Sequence, residues 1–219
     1  GTYQTISKKN NPLVPKYGRK IRDIGKMINL GKDYGKTAFS IKDDLEISQE
    51  EAQKLLDIID SKTPKKIEYF KKCQQFVDRN GYIISEPVFR SKTYFYAYDE
   101  YKELKQLPYD NLNKEQRKRY GRLRGELQRF AQNNPIQNTG ALMTKLAHIY
   151  INNEIEKRGW QDKAWIANAV HDELDGEANE DIAEEFSKVM QECMIKSGTS
   201  FCKIIPMKVD PAIEDSWQH

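Results

Sequence analysis

The chain has 219 residues, enough for one large domain or two small ones, and its 32% of charged residues describe a wet, helix-rich surface. A net charge of +3, from 36 Lys+Arg against 33 Asp+Glu, does not by itself announce a nucleic-acid ligand. No apolar run approaches membrane length, and three widely spaced cysteines without a Cys-x-x-Cys pair give neither a disulfide framework nor a zinc site.

In chain order, residues 7–18 are rich in Lys, Asn and Pro and read as a loop. A helix is expected over 19–34, interrupted by Gly31 and closed at Gly35, with a turn beyond it. Residues 48–60 form the next helix: Ser48 is the N-cap, Glu51 stands three residues later, and Leu55, Leu56 and Ile59 give the apolar stripe. Pro64 opens another helix to about residue 79, Asn80-Gly81 is a turn, and 82–84 is a short strand. Residues 85–120 combine aromatics (Phe89, Tyr94, Phe95, Tyr96, Tyr98, Tyr101) with cations (Lys114, Arg117, Lys118, Arg119, Arg122, Arg124). Such a mixture either stacks and clamps nucleic acid or divides into core rings and solvated charges.

The polar stretch around Pro135 reads as a loop, followed by a helix over 138–158 with Leu142, Leu146 and Ile149 on one face and Gly159 at its end. Residues 164–170 are a strand leading into a tight turn at Asp172-Glu173, with Glu177-Ala178 on the returning strand. An amphipathic helix covers 180–197, with Ile182, Phe186, Val189, Met190, Cys193 and Met194 on its apolar face and Gly198 as its terminator; 201–209 reads as a closing strand. Helices first, then strand–turn–strand, helix and strand, make an α+β chain. Basic residues gather in the first half and acidic ones over 171–185, a separation suited to holding a polyanion on one surface and a metal on another.

Three segments carry candidate chemistry. Arg22, Lys26, Leu30 and Tyr34 recur every four residues, which lines one helix face over about 18 Å. Gly25, Gly31 and Gly35 interrupt the same segment at about 1 kcal/mol each within a helix, and close approach of another molecule is one reason to tolerate that. The second segment is Arg129-Phe-Ala-Gln-Asn133-Asn-Pro135-Ile-Gln137-Asn138-Thr139-Gly-Ala141, and the third is Val170-His171-Asp172-Glu173-Leu174.

Together these resemble family A DNA polymerases, the bacterial DNA polymerase I family. The first is similar to the family's fingers-helix motif Arg-x-x-x-Lys-x-x-x-Phe-x-x-x-Tyr-Gly, the second to its Arg-x-x-x-Asn-x-Pro-x-Gln-Gly-Thr-Ala segment, and the third to its palm His-Asp-Glu turn. The resemblance implies that Arg22 and Lys26 hold the phosphates of a dNTP, with Leu30 beside its sugar and base and Tyr34 near the templating base, where it helps check the new pair. Leu30 stands where the family usually has Phe or Tyr, and Asn138 where it has Gly. Arg129, Asn133 and Gln137, with Gly35 and His171, would contact primer–template DNA, in part through minor-groove acceptors present at every base pair. Asp172 would bind Mg2+ with Glu173 nearby, so that Asp172, Glu173 and Lys26 form the catalytic set. Two ions would act, sharing a further carboxylate. The last residues, Ser216-Trp217-Gln218-His219, resemble the family's terminal stretch.

The implied architecture is an incomplete right-hand polymerase fold. Residues 1–128 are a fingers-like helical region with an aromatic and basic insertion near 85–120. Residues 129–219 are the carboxy-terminal palm portion, an antiparallel sheet with packed helices. The family's Asp-x-Ser-x-x-Glu-like palm motif has no match, and Tyr3 to Ser7 weakly resembles a segment just beyond it. The expectation is a carboxy-terminal subunit or fragment, one half of a split, phage-type polymerase, inactive as an isolated chain. A second polypeptide would bring the missing motif, the thumb and a possible exonuclease. Rival readings are part of a single-subunit RNA polymerase and a non-catalytic DNA-binding module derived from a polymerase. Cysteine usage and the place of DNA copying imply the cytoplasm of a bacterial or phage-infected cell, without membrane attachment or secretion signal.

Overall fold

The computed structural model describes residues 12–216. The expected resemblances at residues 3–7 and 217–219, and residues 7–11 of the loop expected over 7–18, lie outside them. The chain divides into two compact units, residues 1–83 with 94–133, and residues 84–93 with 134–219.

The first unit opens with strands β1 (Leu13–Val14) and β2 (Arg19–Lys20), paired antiparallel around a 3-10 turn at Pro15–Tyr17. Helix α1 (Ile21–Asp33) follows, shorter at its start than the pattern predicts because residues 19 and 20 are taken up by β2. Gly31 lies within α1 and does not break it. The stretch after Gly35, expected as a turn, contains helix α2 (Ala38–Leu45), whose Ala38, Ile41 and Leu45 are buried at helical spacing. Helix α3 (Gln49–Lys62) begins as expected: Ser48 accepts a hydrogen bond from the Glu51 amide at 3.1 Å. The Glu51 side chain pairs with Lys16. Ile24, Ile28, Ala38, Ile41, Leu45, Ala52 and Leu56 form the core that seats α1 on α2 and α3.

Helix α4 (Pro64–Asn80) starts at its proline and ends at Gly81, whose φ of +78° accepts the left-handed turn. Strand β3 (Tyr82–Ile84) pairs with β4 (Lys92–Tyr94), and helix α5 (Tyr98–Gln106) follows. The aromatic cluster of 85–120 divides. Phe95 and Tyr101 join Cys73, Val77, Leu123, Leu127 and Ala131 in a core, whereas Phe89, Tyr94 and Tyr96 are exposed. Tyr101 stacks on Tyr120 at 5.7 Å and 15°, and its hydroxyl donates to Asp78 at 2.6 Å. Lys105 donates to both oxygens of the same carboxylate. Burial alone would raise the pKa of Asp78, but the hydrogen bonds from Lys105 and Tyr101 outweigh it and hold the carboxyl below its ordinary value.

Helix α6 (Lys114–Arg158) is the largest departure from expectation. It runs unbroken for 45 residues and contains Pro135, where the sequence reads as a loop. Its residues 114–133 belong to the first unit and 134–158 to the second. The buried side chains of its last part are Ala147, Ile151 and Ile155; Leu142 and Leu146 are half-buried and Ile149 is exposed, so the predicted stripe is displaced around the helix.

In the second unit, β5 (Ala164–Val170) and β6 (Glu173–Ala178) form the expected antiparallel hairpin, with a register irregularity between Ile166 and Asn168. After a 3-10 turn at Glu180–Ile182 comes α7 (Ala183–Phe201), whose Phe186, Val189 and Cys193 are buried with Trp160, Ala164 and Leu174. Gly176 admits this packing: a Cβ there would stand 2.7 Å from the Phe186 ring and 2.9 Å from the Met190 sulfur. Gly198 does not terminate α7. It lies inside the helix, against Met207, whose Cγ would be 2.6 Å from an added Cβ. The closing strand expected over 201–209 is absent; the segment is irregular and is tied to α7 by the Gln191 amide donating to the Val209 carbonyl at 2.8 Å.

Two predictions follow from this packing. Gly176→Ala lowers the urea midpoint by an amount corresponding to about 1–3 kcal/mol, since ring and sulfur must both move, whereas Gly140→Ala, in a helix interior with nothing within 4 Å of its Cβ, raises it. Because the Asp78 carboxyl is depressed in the folded chain, its stabilisation is fully present above the ordinary carboxylate pKa of about 4 and is lost as pH falls through the lowered value. Asp78→Asn therefore flattens the acid limb of a stability-against-pH curve and lowers the plateau at neutral pH.

Candidate functional site

In the first unit, the core beneath α1 decides what its outer face presents. Ile24, Ile28 and Gly31 are buried, which leaves Lys26, Leu30 and Tyr34 exposed and Arg22 half-buried. Leu30 and Tyr34 keep 46% and 51% of their surface. The Lys26 ammonium makes no hydrogen bond or ion pair among the described residues. An unpaired cation one turn from an exposed apolar residue, itself one turn from an exposed ring, can take an anion and a planar group together.

The three glycines differ. Gly31 is crowded by the Lys36 side chain, whose Cδ would be 2.6 Å from an added Cβ, and Lys36 continues to Asp44 at 2.5 Å. Gly35 has φ of +85° and carries the Arg129 side chain, with Cγ and Cδ each 2.8 Å from a Cβ placed there. The close approach expected from another molecule is thus supplied at both positions by this chain. Gly25 alone of the three has nothing within 4 Å of its Cβ position. The Gly35–Arg129 contact brings the first two sequence segments together within one unit. Arg129 and Asn133 stand one turn apart on α6, and the helical form of this stretch is what gives them that spacing. Gln137 follows after another turn and is exposed, beyond the division between the units.

In the second unit, Asn138 donates from Nδ2 to Ser85 Oγ at 2.5 Å and to Ser91 Oγ at 3.3 Å. Thr139 Oγ1 donates to the Pro135 carbonyl at 2.5 Å. The loop from 85 to 91 is closed by Glu86, which is 5% exposed and accepts from the amides of Phe89 at 2.7 Å and Ser91 at 3.0 Å. The asparagine therefore fastens this loop to α6, a task beyond a glycine.

The hairpin turn consists of His171 and Asp172, since Val170 pairs with Glu173. His171 has φ of +54°, a conformation that costs a non-glycine residue about 1–2 kcal/mol. Its carbonyl accepts from Thr144 Oγ1 at 3.2 Å, which ties the turn to α6. The side chains of His171, Asp172 and Glu173 are exposed, and neither carboxylate is paired among the described residues. No group of three or more His, Cys, Asp or Glu able to hold a metal ion occurs among the described residues. Asp172 offers hard oxygen donors of the kind magnesium takes, but the donor set from this chain is incomplete. Thr144, Asn138 and Ser85 are the site-supporting residues that sequence spacing misses; their partners lie 27 and 53 residues away, and no local pattern marks them.

The α+β frame is that of a portion of a polymerase domain. The fold agrees: 84% of the chain superposes on 28% of a chain described as the POL domain of Pol1 from M. smegmatis in complex with DNA primer-template and dNTP, with a TM-score of 0.63 and 24% identity. The profile of DNA polymerase family A matches residues 3–219, and the chain belongs to that family. It is 30% identical to the DNA polymerase I of Caldicellulosiruptor bescii over 77% of this chain and 18% of that protein. It is 27% identical to the thermostable DNA polymerase I of Thermus aquaticus over 90% of this chain and 20% of that protein. The chain thus spans about a fifth of the length of these relatives. No helix among the described residues is long and apolar enough to cross a membrane.

The contact between Gly35 and Arg129 gives a prediction. Gly35→Ala meets both a strained φ and the Arg129 side chain, and lowers stability by about 1–2 kcal/mol while displacing Arg129. Gly25→Ala meets open space within a helix and raises stability by up to about 1 kcal/mol. Chemical denaturation of the two variants checks both signs.

Proposed function

We propose that this chain is the fingers and carboxy-terminal palm portion of a template-directed DNA polymerase, residues 1–128 and 129–219 respectively, which transfers a nucleotide from dNTP to a primer 3'-hydroxyl. The observation that carries this reading is the outer face of α1, with Lys26 unpaired and Leu30 and Tyr34 exposed beside it. Arg22 and Lys26 take the triphosphate, Leu30 takes the sugar and base, and Tyr34 packs near the templating base. Leu30 supplies apolar contact without a ring, so the sugar is held by dispersion and not by stacking. Arg129, Asn133 and Gln137 meet the minor groove of the primer–template, Gly35 lets Arg129 lie close to the end of α1, and His171 stands by the primer terminus.

Asp172 is one ligand of the Mg2+ ions, with Glu173 close by. When bound, the ions lower the pKa of the attacking hydroxyl and neutralise charge on the leaving pyrophosphate. One exposed carboxylate on a turn holds two divalent ions poorly, because their mutual repulsion needs several anionic oxygens to offset it. The incomplete donor set supports the reading that a carboxylate from a second polypeptide completes the site, and that the isolated chain does not extend primers. The phage-type, cytoplasmic split enzyme expected from the sequence belongs to this same reading.

The test is primer extension by the pure chain and by the complex that co-purifies with it from its natural source. The pure chain is expected to be inactive. The complex is expected to extend a primed template with dNTP, to contain a stoichiometric second chain with an Asp-x-Ser-x-x-Glu-like motif, and to lose at least about a hundredfold in rate on Asp172→Ala. Extension by the pure chain removes the second-polypeptide claim. Activity of the complex that is indifferent to Asp172→Ala removes the polymerase assignment of the turn.

A further inference from the structure

We propose that Phe76, Tyr82 and Tyr94 form a stacking ledge for the unpaired bases of a single-stranded nucleic acid. The three rings lie within the first unit and make a continuous series. Phe76 meets Tyr82 edge to face at 5.5 Å and 85°, and Tyr82 meets Tyr94 at 5.5 Å and 49°. The series is open to solvent at both ends, with Phe76 38% and Tyr94 66% exposed.

Part of this arrangement has a local cause. Gly81 ends α4 in the left-handed conformation, its amide bonded to the Val77 carbonyl at 2.8 Å, and an apolar contact across such a cap is common. That accounts for Phe76 against Tyr82. It does not account for Tyr94, which adds a ring with two-thirds of its surface in water and packs into no core. Tyr94 extends the aromatic row and leaves its own ring open to a planar group that could continue it.

The charge around the row identifies the kind of occupant. Lys72 and Arg79, one turn to either side of Phe76 on α4, are both exposed. Lys72 shares its charge with Glu68 at 2.7 Å, and Arg79 forms no salt bridge among the described residues. Rings bordered by cations suit a polymer of planar bases on an anionic backbone, with each base offering a face whatever its identity. A protein partner of the same surface would need apolar area to bury, and the row is too narrow to supply the standard interface. The ledge lies outside the residues assigned above to nucleotide, duplex or metal, and its existence does not depend on that assignment.

The experiment is fluorescence anisotropy of the whole chain with a labelled single-stranded DNA oligonucleotide of mixed sequence, compared with a blunt duplex of the same length. Tyr94→Ala is expected to weaken single-strand binding by fivefold or more, from the loss of about one base stack, and to leave duplex binding within twofold. Tyr94→Trp restores the single-strand affinity, since it keeps a face to stack on. Arg79→Ala lowers the slope of log affinity against log salt by about 0.7 for the single strand. Absence of single-strand binding, an equal loss on both ligands with Tyr94→Ala, or failure of Tyr94→Trp to rescue overturns the proposal. Each of these readouts is independent of primer extension, so the polymerase reading stands or falls separately.

Discussion

The constraint on which the rest depends is a single helix that serves two cores. Leu123, Leu127 and Ala131 of α6 are buried in one, and Ala147, Ile151 and Ile155 in the other. Each set keeps a four-residue spacing, so each end of the helix is fastened by its own apolar row. Between them stands Pro135, which forfeits the hydrogen bond to the Ala131 carbonyl and costs a helix about 3 kcal/mol or more. The helix persists because tertiary packing on both sides of the proline, and not local propensity, holds it. Thr139 adds a hydroxyl donor to the Pro135 carbonyl, and Asn138 takes the neighbouring loop through Ser85 and Ser91.

Close approach within the chain explains the glycines better than any outside molecule does. At Gly35, Gly176 and Gly198 a Cβ would meet Arg129, Phe186 and Met207 respectively, each under 3.0 Å. These are points where one element must lie flat on another to set a side chain or close a core. Gly25 differs, being half-buried and clear of its own chain, on the helix that presents Lys26. Ile24, Ile28 and Gly31 turn inward, which leaves Lys26, Leu30 and Tyr34 of the stripe read from four-residue spacing exposed.

Helix starts were legible wherever their signal is local. Ser48 with Glu51 and Pro64 each mark an observed N-terminus, and the apolar face of α7 was visible because its period is regular and its contacts lie within one core. The hairpin is legible for the same reason, as a short apolar strand meeting polar turn residues, but its turn falls at His171-Asp172, one residue before the Asp172-Glu173 turn expected, because Glu173 pairs with Val170. The errors have a common form. Pro135 and Gly198 are helix breakers by propensity and were read as such, yet both sit inside helices that distant contacts maintain. The apolar row of α6 breaks between Ala131 and Ala147, so a search for one continuous stripe misplaces its buried face. The segment after Cys202 alternates like a strand, but Ile204 and Ile205 are 96% and 70% exposed and no strand among the described residues pairs with it. Alternation specifies a strand only where a neighbour accepts its hydrogen bonds.

The acidic turn shows how much preparation surrounds a minimal piece of chemistry. A histidine takes the left-handed position that glycine would occupy at no cost, and a threonine from α6 holds its carbonyl. Strain at a turn persists only when neighbouring structure over-determines it, and here the strand pairing of Val170 with Glu173 on one side and Thr144 on the other do so. Asp172 and Glu173, though adjacent in sequence, are not equivalent: the first belongs to the turn and the second to the first pair of β6, where successive side chains point to opposite faces. On the proposed reading, Asp172 alone is a direct ligand and Glu173 contributes charge at longer range, which is why a rigid turn offering a single carboxylate calls for its complement from elsewhere in the active assembly.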